Sequence, residues 1–451
     1  METNKLSFAA RHSILIKTVF IGILIFTLLI PLAMVDDLVY ERESRLQSVV
    51  HEINNSWGAA QTITGPMIIV PYRTIWHDEQ GKVYTKINQS YFLPDSLDVH
   101  SELMPEIRWR GIFKVVVYRV KLTVSGHFSR PDLSIWKIPA ENIIWEDATL
   151  SIGLSDTRGI EESLFLNWNN SKIEFLSGTG NNEFINKGLH VRLSNLATET
   201  VTSYQFGFST HLNGNDSISF TPVGKQNAVQ VKSTWADPSF IGSFLPVARE
   251  ITQEGFTANW KVSHLGRSYP QFWNSENQNG SYLSDSDFGI KLLLPVDFYQ
   301  KTQRSIKYGI LFILLTFTVF FLFEVFNPIR LHFLQYMMVG IALCIFYLLL
   351  LSIAEQFGFV VAYLSAMVAT VVLITGYSMA ILQSKKHALM LGTLLILLYS
   401  YLYVLLHLQD YALLFGAIGL FLILATVMYI TRNIDWYAVN LQRTDLEFSD
   451  K

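Results

Sequence analysis

Six long apolar runs limit what this chain can fold into more than any other feature of its sequence. They occupy residues 18–35, 308–326, 333–353, 359–382, 388–406 and 411–431. Each is close to the ~20 residues that a helix needs to cross a bilayer. Of the 451 residues, 50% are hydrophobic, which is too apolar for an ordinary soluble protein. We therefore predict six transmembrane helices, one near the N-terminus and five in the C-terminal third.

The basic residues of the short loops predict how these helices are oriented. Lys and Arg lie before the first run and after the second, fourth and sixth runs, whereas the loops after the third and fifth runs carry neither. Cytoplasmic loops are enriched in Lys and Arg. The pattern predicts that both termini are cytoplasmic and that the long segment between the first two runs lies outside the cytoplasm.

The first run has features of a signal peptide and of a permanent anchor. Basic residues precede it, but no small-residue cleavage site follows it. The chain continues into residues 36–57, where apolar residues recur at helical spacing. These residues are Leu46, Val49, Val50, Ile53 and Trp57. We predict an uncleaved anchor helix that continues outward as an amphipathic stalk.

The segment between the first two membrane helices has the pattern of β-structure. Residues 107–128 and 201–223 are rich in β-branched and aromatic residues, and turn residues separate such stretches. Residues 213–216, "NGND", have the turn chemistry of a hairpin. The predicted fold class is a membrane α + β protein, with a large β-rich, sandwich-like domain inserted between the first and second of six transmembrane helices.

These features divide the chain into five parts. The predicted parts are a cytoplasmic N-terminus with the first transmembrane helix (1–35), an amphipathic stalk (36–57), a β-rich periplasmic domain (58–306), a five-helix transmembrane bundle (307–432) and a cytoplasmic tail (433–451).

No motif in the sequence specifies catalysis, a cofactor or a metal site. The histidines lack ligand spacing, and the motifs HExxH, CxxC and GxSxG do not occur. Cys344, the single cysteine, falls inside an apolar run and is best explained as a small buried hydrophobe. The net charge of −3, without a run of basic residues, excludes a nucleic-acid-binding surface. We therefore predict no catalytic residues, no cofactor and no metal.

Ionisable residues near one membrane boundary form a candidate intramembrane charge cluster. Its members are Glu324, Arg330, Arg432 and Asp435. A charge at this depth is costly unless it finds a partner or reaches the interface. The cluster is explained either as an interfacial set that fixes helix positions or as part of an ion pathway or active site.

The stretch "WADPSFIGSFLPVARE", residues 235–250, is too apolar to lie in water without a reason. Pro238 and Pro246 exclude a regular central strand or helix through it. The candidate contact surface in this stretch consists of Trp235, Phe240, Phe244 and Arg249. The alternative is a structural corner whose apolar side chains cover one end of the β-rich domain, with Arg249 or Glu250 paired to a neighbouring charge.

This stretch, together with "EGFTANW", "HLGRSYPQFW", "RSIKYGILFILLTF", "TRNIDWY", "ERESR" and "DTRGI", resembles the CreD family of bacterial inner-membrane proteins over essentially the whole chain. The resemblance implies an inner-membrane protein tied to cell-envelope integrity and colicin tolerance, commonly within a two-component regulon. It implies no catalytic residues.

These observations favour a protein that supports the envelope by binding, with the lipid bilayer and envelope proteins as expected partners. Two alternatives remain open. One is a transporter or channel that uses the C-terminal helices, and the other is a membrane-embedded enzyme of envelope maintenance.

Overall fold

The computed structural model describes residues 13–193, 196, 201–276, 283–293, 298–326, 331–382, 384–408 and 411–432. Within these residues, six helices are long and apolar enough to cross a membrane, which confirms the six predicted spans. A shorter helix precedes the second span. The helices are α1 (Ser13–Trp57), α2 (Phe298–Lys307), α3 (Gly309–Phe326), α4 (Phe333–Phe357), α5 (Phe359–Ile381), α6 (Lys385–His407) and α7 (Ala412–Thr431).

Helix α1 joins the predicted anchor and the predicted stalk without a break. Its 45 residues make a helix of about 68 Å at 1.5 Å per residue, more than twice the ~30 Å of the bilayer core. The helix ends at Trp57, and the next residue, Gly58, has a φ of 134°, which an L side chain rarely adopts.

The last turns of α1 pack on the β-rich domain through the predicted apolar face. Val49 and Ile53 are buried against Val115 and Val117. Beside them, Arg108 places its guanidinium 3.6 Å from the ring centroid of Trp57. The helical spacing seen in the sequence therefore marks a protein contact.

Aromatic side chains fill the centre of the C-terminal helices. The ring of Phe346 on α4 lies 5.6 Å from that of Tyr363 on α5 and 4.6 Å from that of Tyr399 on α6. The Tyr363 hydroxyl donates to the carbonyl of Tyr399 at 2.7 Å, so this buried polar group is satisfied. A single residue, Gly358, separates α4 from α5, which makes them antiparallel neighbours.

The described residues between α1 and α2 contain seventeen strands in two sheets, as the predicted β-rich domain requires. The nine-stranded first sheet comprises β1 (Gln61–His77), β2 (Val83–Phe92), β5 (Thr149–Leu154), β8 (Leu176–Ser177), β9 (Gly188–Arg192), β11 (Ser217–Thr221), β13 (Pro238–Gly242), β16 (Phe272–Asn274) and β17 (Phe288–Leu292). The eight-stranded second sheet comprises β3 (Ser96–Arg110), β4 (Phe113–Ser129), β6 (Phe165–Trp168), β7 (Ser171–Glu174), β10 (Ser203–Asn215), β12 (Gln226–Ser233), β14 (Ala248–Thr252) and β15 (Gly255–Ser263).

The strand order of each sheet decides which strands form its edges. The first sheet runs β13-β17-β11-β1-β5-β9-β8, with β2 and β16 attached beside β1, and the second runs β14-β15-β12-β3-β4-β10-β6-β7. Most pairs are antiparallel, but β1–β11 and β3–β12 are parallel. Both sheets are therefore mixed, with one parallel pair in each.

The "NGND" segment does not form the expected hairpin. Asn213 and Asn215 belong to β10 in the second sheet, whereas β11 lies in the first sheet. Asp216 between them has a φ of 56°, a conformation that Asp tolerates better than most residues. The turn chemistry is real, but it carries the chain from one sheet to the other.

The core of the β-rich domain comes from inward-facing residues of both sheets. On β4, Val120, Leu122 and Val124 are buried, while Lys121 and Thr123 between them are exposed. This period of two is the pattern of a strand with one face against a core. Residues 298–307, which follow the last strand, form helix α2.

Candidate functional site

The stretch of residues 235–250 forms a corner between the two sheets. Its first half contributes β13, an edge strand of the first sheet, and its last residues begin β14, an edge strand of the second. Residues 243–247 connect them. Pro238 opens β13 and Pro246 lies in the connection, the positions where a missing N–H disturbs a sheet least.

Phe240 and Phe244 hold this corner against the core. The ring centroid of Phe240 lies 5.8 Å from that of Trp260, and the ring of Phe244 lies 5.9 Å from that of Phe288. The indole N–H of Trp260 donates to the carbonyl of Phe244 at 3.1 Å. Both phenylalanines are half-buried and pack against the hydrophobic core. They therefore contribute to the stability of the corner, whatever else they contact.

Trp235 and Arg249 flank these phenylalanines. The indole N–H of Trp235 donates to the carbonyl of Leu293 at 3.1 Å. The guanidinium of Arg249 lies 5.6 Å from the ring centroid of Phe240, within the range of a cation–π contact. In the part of the chain that the structure describes, neither Arg249 nor Glu250 forms a salt bridge, so the ring of Phe240 takes the place of the expected charged partner.

Three aliphatic side chains at the corner point away from the core. Leu245, Val247 and Leu265 are 69%, 64% and 84% exposed. Leu265 belongs to the same corner because the next residue, Gly266, lies beside the ring of Phe244, where a Cβ on the glycine would come within 3.3 Å of that ring. We call these three residues the corner patch. Sequence reasoning selected the neighbouring aromatic residues instead, since size alone does not show which side chains face inward.

A second apolar feature, missed in the sequence, is the ribbon formed by the far ends of β1 and β2. The rings of Trp76 and Tyr84 stack at 5.7 Å. Both are exposed, as are Ile75 and Ile87 beside them. The sequence does contain a signal for this ribbon. Apolar residues lie on both sides of the polar turn "HDEQGK", and together they extend further than a buried hairpin requires.

The intramembrane acid Glu324 is buried at 4% exposure and forms an ion pair with Lys17 of α1. The ammonium of Lys17 also donates to the carbonyl of Leu331 at 2.7 Å. The hydroxyl of Tyr336 donates to Glu324 at 3.4 Å. A buried charge with a partner and further hydrogen bonds is the arrangement that a low-dielectric site requires.

Of the other three members of the predicted charge cluster, the structure describes Arg432. Arg330 and Asp435 lie outside the described residues. Arg432 places its guanidinium 4.1 Å from the ring centroid of Tyr429. Lys17, which the sequence marked only as an orientation signal, is the partner that was missed.

Tyr336, which contacts Glu324, lies near the start of α4, and a second charged contact lies near the end of this helix. The carboxylate of Glu355 is 3.8 Å from Nε of Arg42 on α1 and accepts a hydrogen bond from the Tyr299 hydroxyl at 3.2 Å. Burial, together with the nearby Glu355 charge, raises the pKa of Tyr299 well above its usual value, so this hydroxyl stays protonated and donates. Helix α1 is thus fastened at both ends of the bundle.

Comparison with known proteins decides the family. The family model described as "Inner membrane protein CreD" matches residues 13–437. The chain is also 32% identical over 422 residues to "Inner membrane protein CreD" of Escherichia coli (strain K12), covering 93% of both chains. The chain belongs to the CreD family. It is a multi-pass inner-membrane protein, as the six spans and the family together show.

One of the motifs through which the chain resembles the CreD family, "DTRGI", lies where α1 meets the β-rich domain. Asp156 accepts hydrogen bonds from Nη2 of Arg158 at 2.7 Å and from the backbone N–H of Ala59 at 3.0 Å. Hydrogen bonding from Arg158 is the main cause that lowers the pKa of Asp156 to about 2. The amide of Gln61 donates to the carbonyls of Asp156 and Asn213 at 2.9 and 3.0 Å. This CreD-family motif therefore joins the end of α1 to β1 and, through Gln61, to β10.

The CreD-family chain offers no metal-binding cluster within its described residues, because no three His, Cys, Asp or Glu side chains come together there. Several polar groups of the β-rich domain instead form pairs and short networks. His211, for example, contacts Glu162 at 2.9 Å on the exposed face of β10. The domain is thus equipped to bind another surface rather than a metal, and its most prominent exposed apolar feature is the corner patch.

Proposed function

We propose that this protein supports cell-envelope integrity from the inner membrane by binding a partner rather than by catalysis. In this proposal both termini are cytoplasmic and the β-rich domain is periplasmic, as loop charge predicts. The observation that carries the proposal is the corner patch: Leu245, Val247 and Leu265 are exposed on a segment that Phe240 and Phe244 fix to the core. Exposed apolar groups on an ordered surface mark interaction sites.

The edges of the two sheets favour a protein as the partner. Strands β13 and β14 are edge strands, and every residue of β14 is exposed. An edge strand presents unpaired N–H and C=O groups, to which an extended segment of another protein can add as a strand. The corner patch would supply the apolar contacts beside these hydrogen bonds. An envelope protein with an extended apolar segment is thus the expected partner, and binding to bare lipid is the alternative outcome.

The ion pair of Lys17 with Glu324 argues for anchoring over transport. A proton or ion pathway needs an ionisable residue whose charge changes or moves, whereas this carboxylate is held by a cation and a hydroxyl. The same contacts give a structural reason for an acid at this depth.

The test compares two double variants in a strain that lacks the protein. Leu245→Ser with Leu265→Ser removes two residues of the corner patch, and Leu176→Ser with Ile135→Ser makes the same change at two exposed positions elsewhere on the domain. Envelope permeability is measured after complementation, with membrane abundance and protease resistance matched. We expect the first variant to fail and the control to restore the barrier.

Three results would contradict the proposal. Full restoration by the corner variant would show that the patch is not the contact. Equal failure of both variants would show that the effect comes from any exposed apolar-to-serine change and is not specific to the corner patch. Turnover of a lipid, glycan or peptide by the pure protein would replace binding with catalysis.

A further inference from the structure

A long groove separates α7 from α3 and α6. It has a volume of about 640 Å³, within the ~300–1,000 Å³ typical of ligand sites. Its lining comes from residues 315–326 of α3, 390–398 of α6 and 422–430 of α7. A smaller cavity of about 280 Å³ continues from it along α3 as far as Tyr308.

The groove exists because α7 is attached to α6 through its first half. The hydroxyl of Tyr401 donates to the carbonyl of Phe415, and Gly419 leaves no room between the helices for a side chain. The buried residues of α7 in the described structure are Ala412 and Gly419, both in that first half. The second half of α7 therefore lacks close packing, and the groove opens beside it.

The lining of the groove presents almost only hydrocarbon. Its hydroxyl groups are those of Thr318, Thr393 and Thr426. Each donates to the carbonyl four residues earlier in its own helix, at 2.8, 3.0 and 2.8 Å. Because these hydroxyls already donate within their own helices, they offer a polar solute no free donor, and only their oxygens could accept. The chemistry fits an acyl chain.

The dimensions fit one leaflet of the membrane. The α3 side of the larger cavity, residues 315–326, is about 17 Å long at 1.5 Å per residue. Half of a ~30 Å hydrocarbon core is about 15 Å. One acyl chain of one leaflet would thus lie along the groove, with its headgroup at the end formed by Phe326 and Ile430.

Basic residues lie at that same end. Lys385 and Lys386 begin α6 and are exposed, and Arg432 follows α7. His387 is half-buried, with its ring 5.2 Å from that of Phe323, which lines the groove. Within the described residues, Nδ1 of His387 is buried and has no hydrogen-bond partner. This end therefore combines three cations with an unpartnered buried imidazole nitrogen.

We propose that the groove binds an anionic phospholipid, with an acyl chain between α3, α6 and α7 and the phosphate at Lys385, Lys386 and Arg432. Positive side chains at a membrane boundary attract anionic headgroups. The positive charges at the end of an apolar groove distinguish this site from ordinary lipid contact. The inference is independent of the corner patch.

The first experiment measures lipid binding to the full-length purified protein by native mass spectrometry. Phosphatidylglycerol and phosphatidylcholine with identical acyl chains are titrated separately. We expect phosphatidylglycerol to bind more tightly, and the triple change Lys385→Gln, Lys386→Gln and Arg432→Gln to weaken it at least about tenfold. The matched control is Arg192→Gln, Lys232→Gln and Lys261→Gln, three exposed positions on the β-rich domain, which should change nothing.

The second experiment tests the groove itself. Thr426→Trp fills it and should reduce binding of both lipids. Phosphatidylglycerol with a photoreactive group in its acyl chain should label residues 390–398 and 422–430 of the unmodified chain, a result that does not depend on any variant folding.

Each contrary outcome overturns the proposal. Equal affinity for the two lipids, or no effect of the triple change, removes the headgroup contact. Labelling outside residues 390–398 and 422–430 would show that the acyl chain does not lie in the groove. Occupation by a second copy of the chain would appear as a dimer that Thr426→Trp dissociates and added lipid does not affect.

Discussion

Lys17 of α1 and Glu324 of α3 form an ion pair in which the carboxylate is 3% exposed. The two residues are separated by most of the chain, yet each is the charged residue nearest to the same end of its membrane helix. Their pairing explains why an acid is tolerated in "FFLFEVF", because its charge is compensated where it is buried.

Replacing Glu324 with Gln should destabilise the bundle. The change removes the carboxylate of Glu324 from its ion pair with Lys17, which costs on the order of 3 kcal/mol in a buried pair. The free energy of unfolding in detergent measures this cost. The exchange Lys17→Glu with Glu324→Lys should recover part of the loss, whereas either single reversal should not. If Glu324→Gln is as stable as the unmodified chain but no longer restores the envelope barrier, the transporter alternative is favoured.

The aromatic and aliphatic residues of the corner should behave differently on substitution. Phe240→Ser or Phe244→Ser removes a ring from the core and should cost about 2–4 kcal/mol of unfolding free energy. Leu245→Ser, at an exposed position, should change it by less than about 0.5 kcal/mol. Denaturant unfolding followed by tryptophan fluorescence distinguishes them. Equal effects would mean that the corner patch is also part of the core.

The contact between Asp156 and Arg158 should make the β-rich domain sensitive to acid. The folded-state pKa of Asp156, about 2, lies below the ordinary value of 3.8. Stability from this carboxylate is therefore fully present above about pH 4 and is lost as the pH falls toward 2. Unfolding midpoints measured from pH 7 down to pH 2.5 should show the loss.

Asp156→Asn provides the comparison for that measurement. It should be less stable at pH 7 and should lack the part of the acid dependence that Asp156 supplies. Asp98→Asn, at an exposed strand position, should retain the full dependence. If Asp156→Asn and the unmodified chain have parallel pH profiles, the carboxylate does not have the assigned role.

Replacing Gly419 with Val should loosen α7. The new side chain would meet the hydroxyl of Tyr401, which lies directly above the glycine. We expect a lower thermal midpoint and faster proteolysis near α7. Tyr401→Ala alone removes the hydrogen bond to Phe415 and should also loosen α7, but in that background Gly419→Val should cost little more, because its clash partner is gone. If the losses of the two single changes simply add in the double variant, the Gly419–Tyr401 contact is not what attaches the helix.

The sequence predicted the membrane spans well because a bilayer imposes a length and a composition on each helix separately. Runs of apolar residues such as 333–353 need no knowledge of their neighbours to be interpreted. Strand pairing is different. The parallel register of Gln61 with Ile218 joins residues far apart in the chain, and nothing local to either one specifies it. The turn residues around Asp216 likewise fixed a bend but not the sheet that follows it.

The candidate sites likewise contain residues that the sequence identified and partners that it did not. Glu324 stood out because an acid within an apolar run is rare, but its partner Lys17 resembled an ordinary flanking cation. Both residues lie at the same end of antiparallel spans, so comparing depths along the membrane would have paired them. At the corner, the sequence identified the segment and its prolines. It could not separate Phe244, which faces the core, from Leu245, which does not.

The two ion pairs of α1 have a consequence for motion. Lys17 and Arg42 are twenty-five residues apart on one helix, about 38 Å, and they contact Glu324 and Glu355 respectively. Sliding α1 along its axis by one turn, ~5.4 Å, would break both contacts at once. A piston-like stroke of this helix against its neighbours is therefore opposed at both membrane boundaries, and rotation or tilt of the remaining helices is the less costly movement.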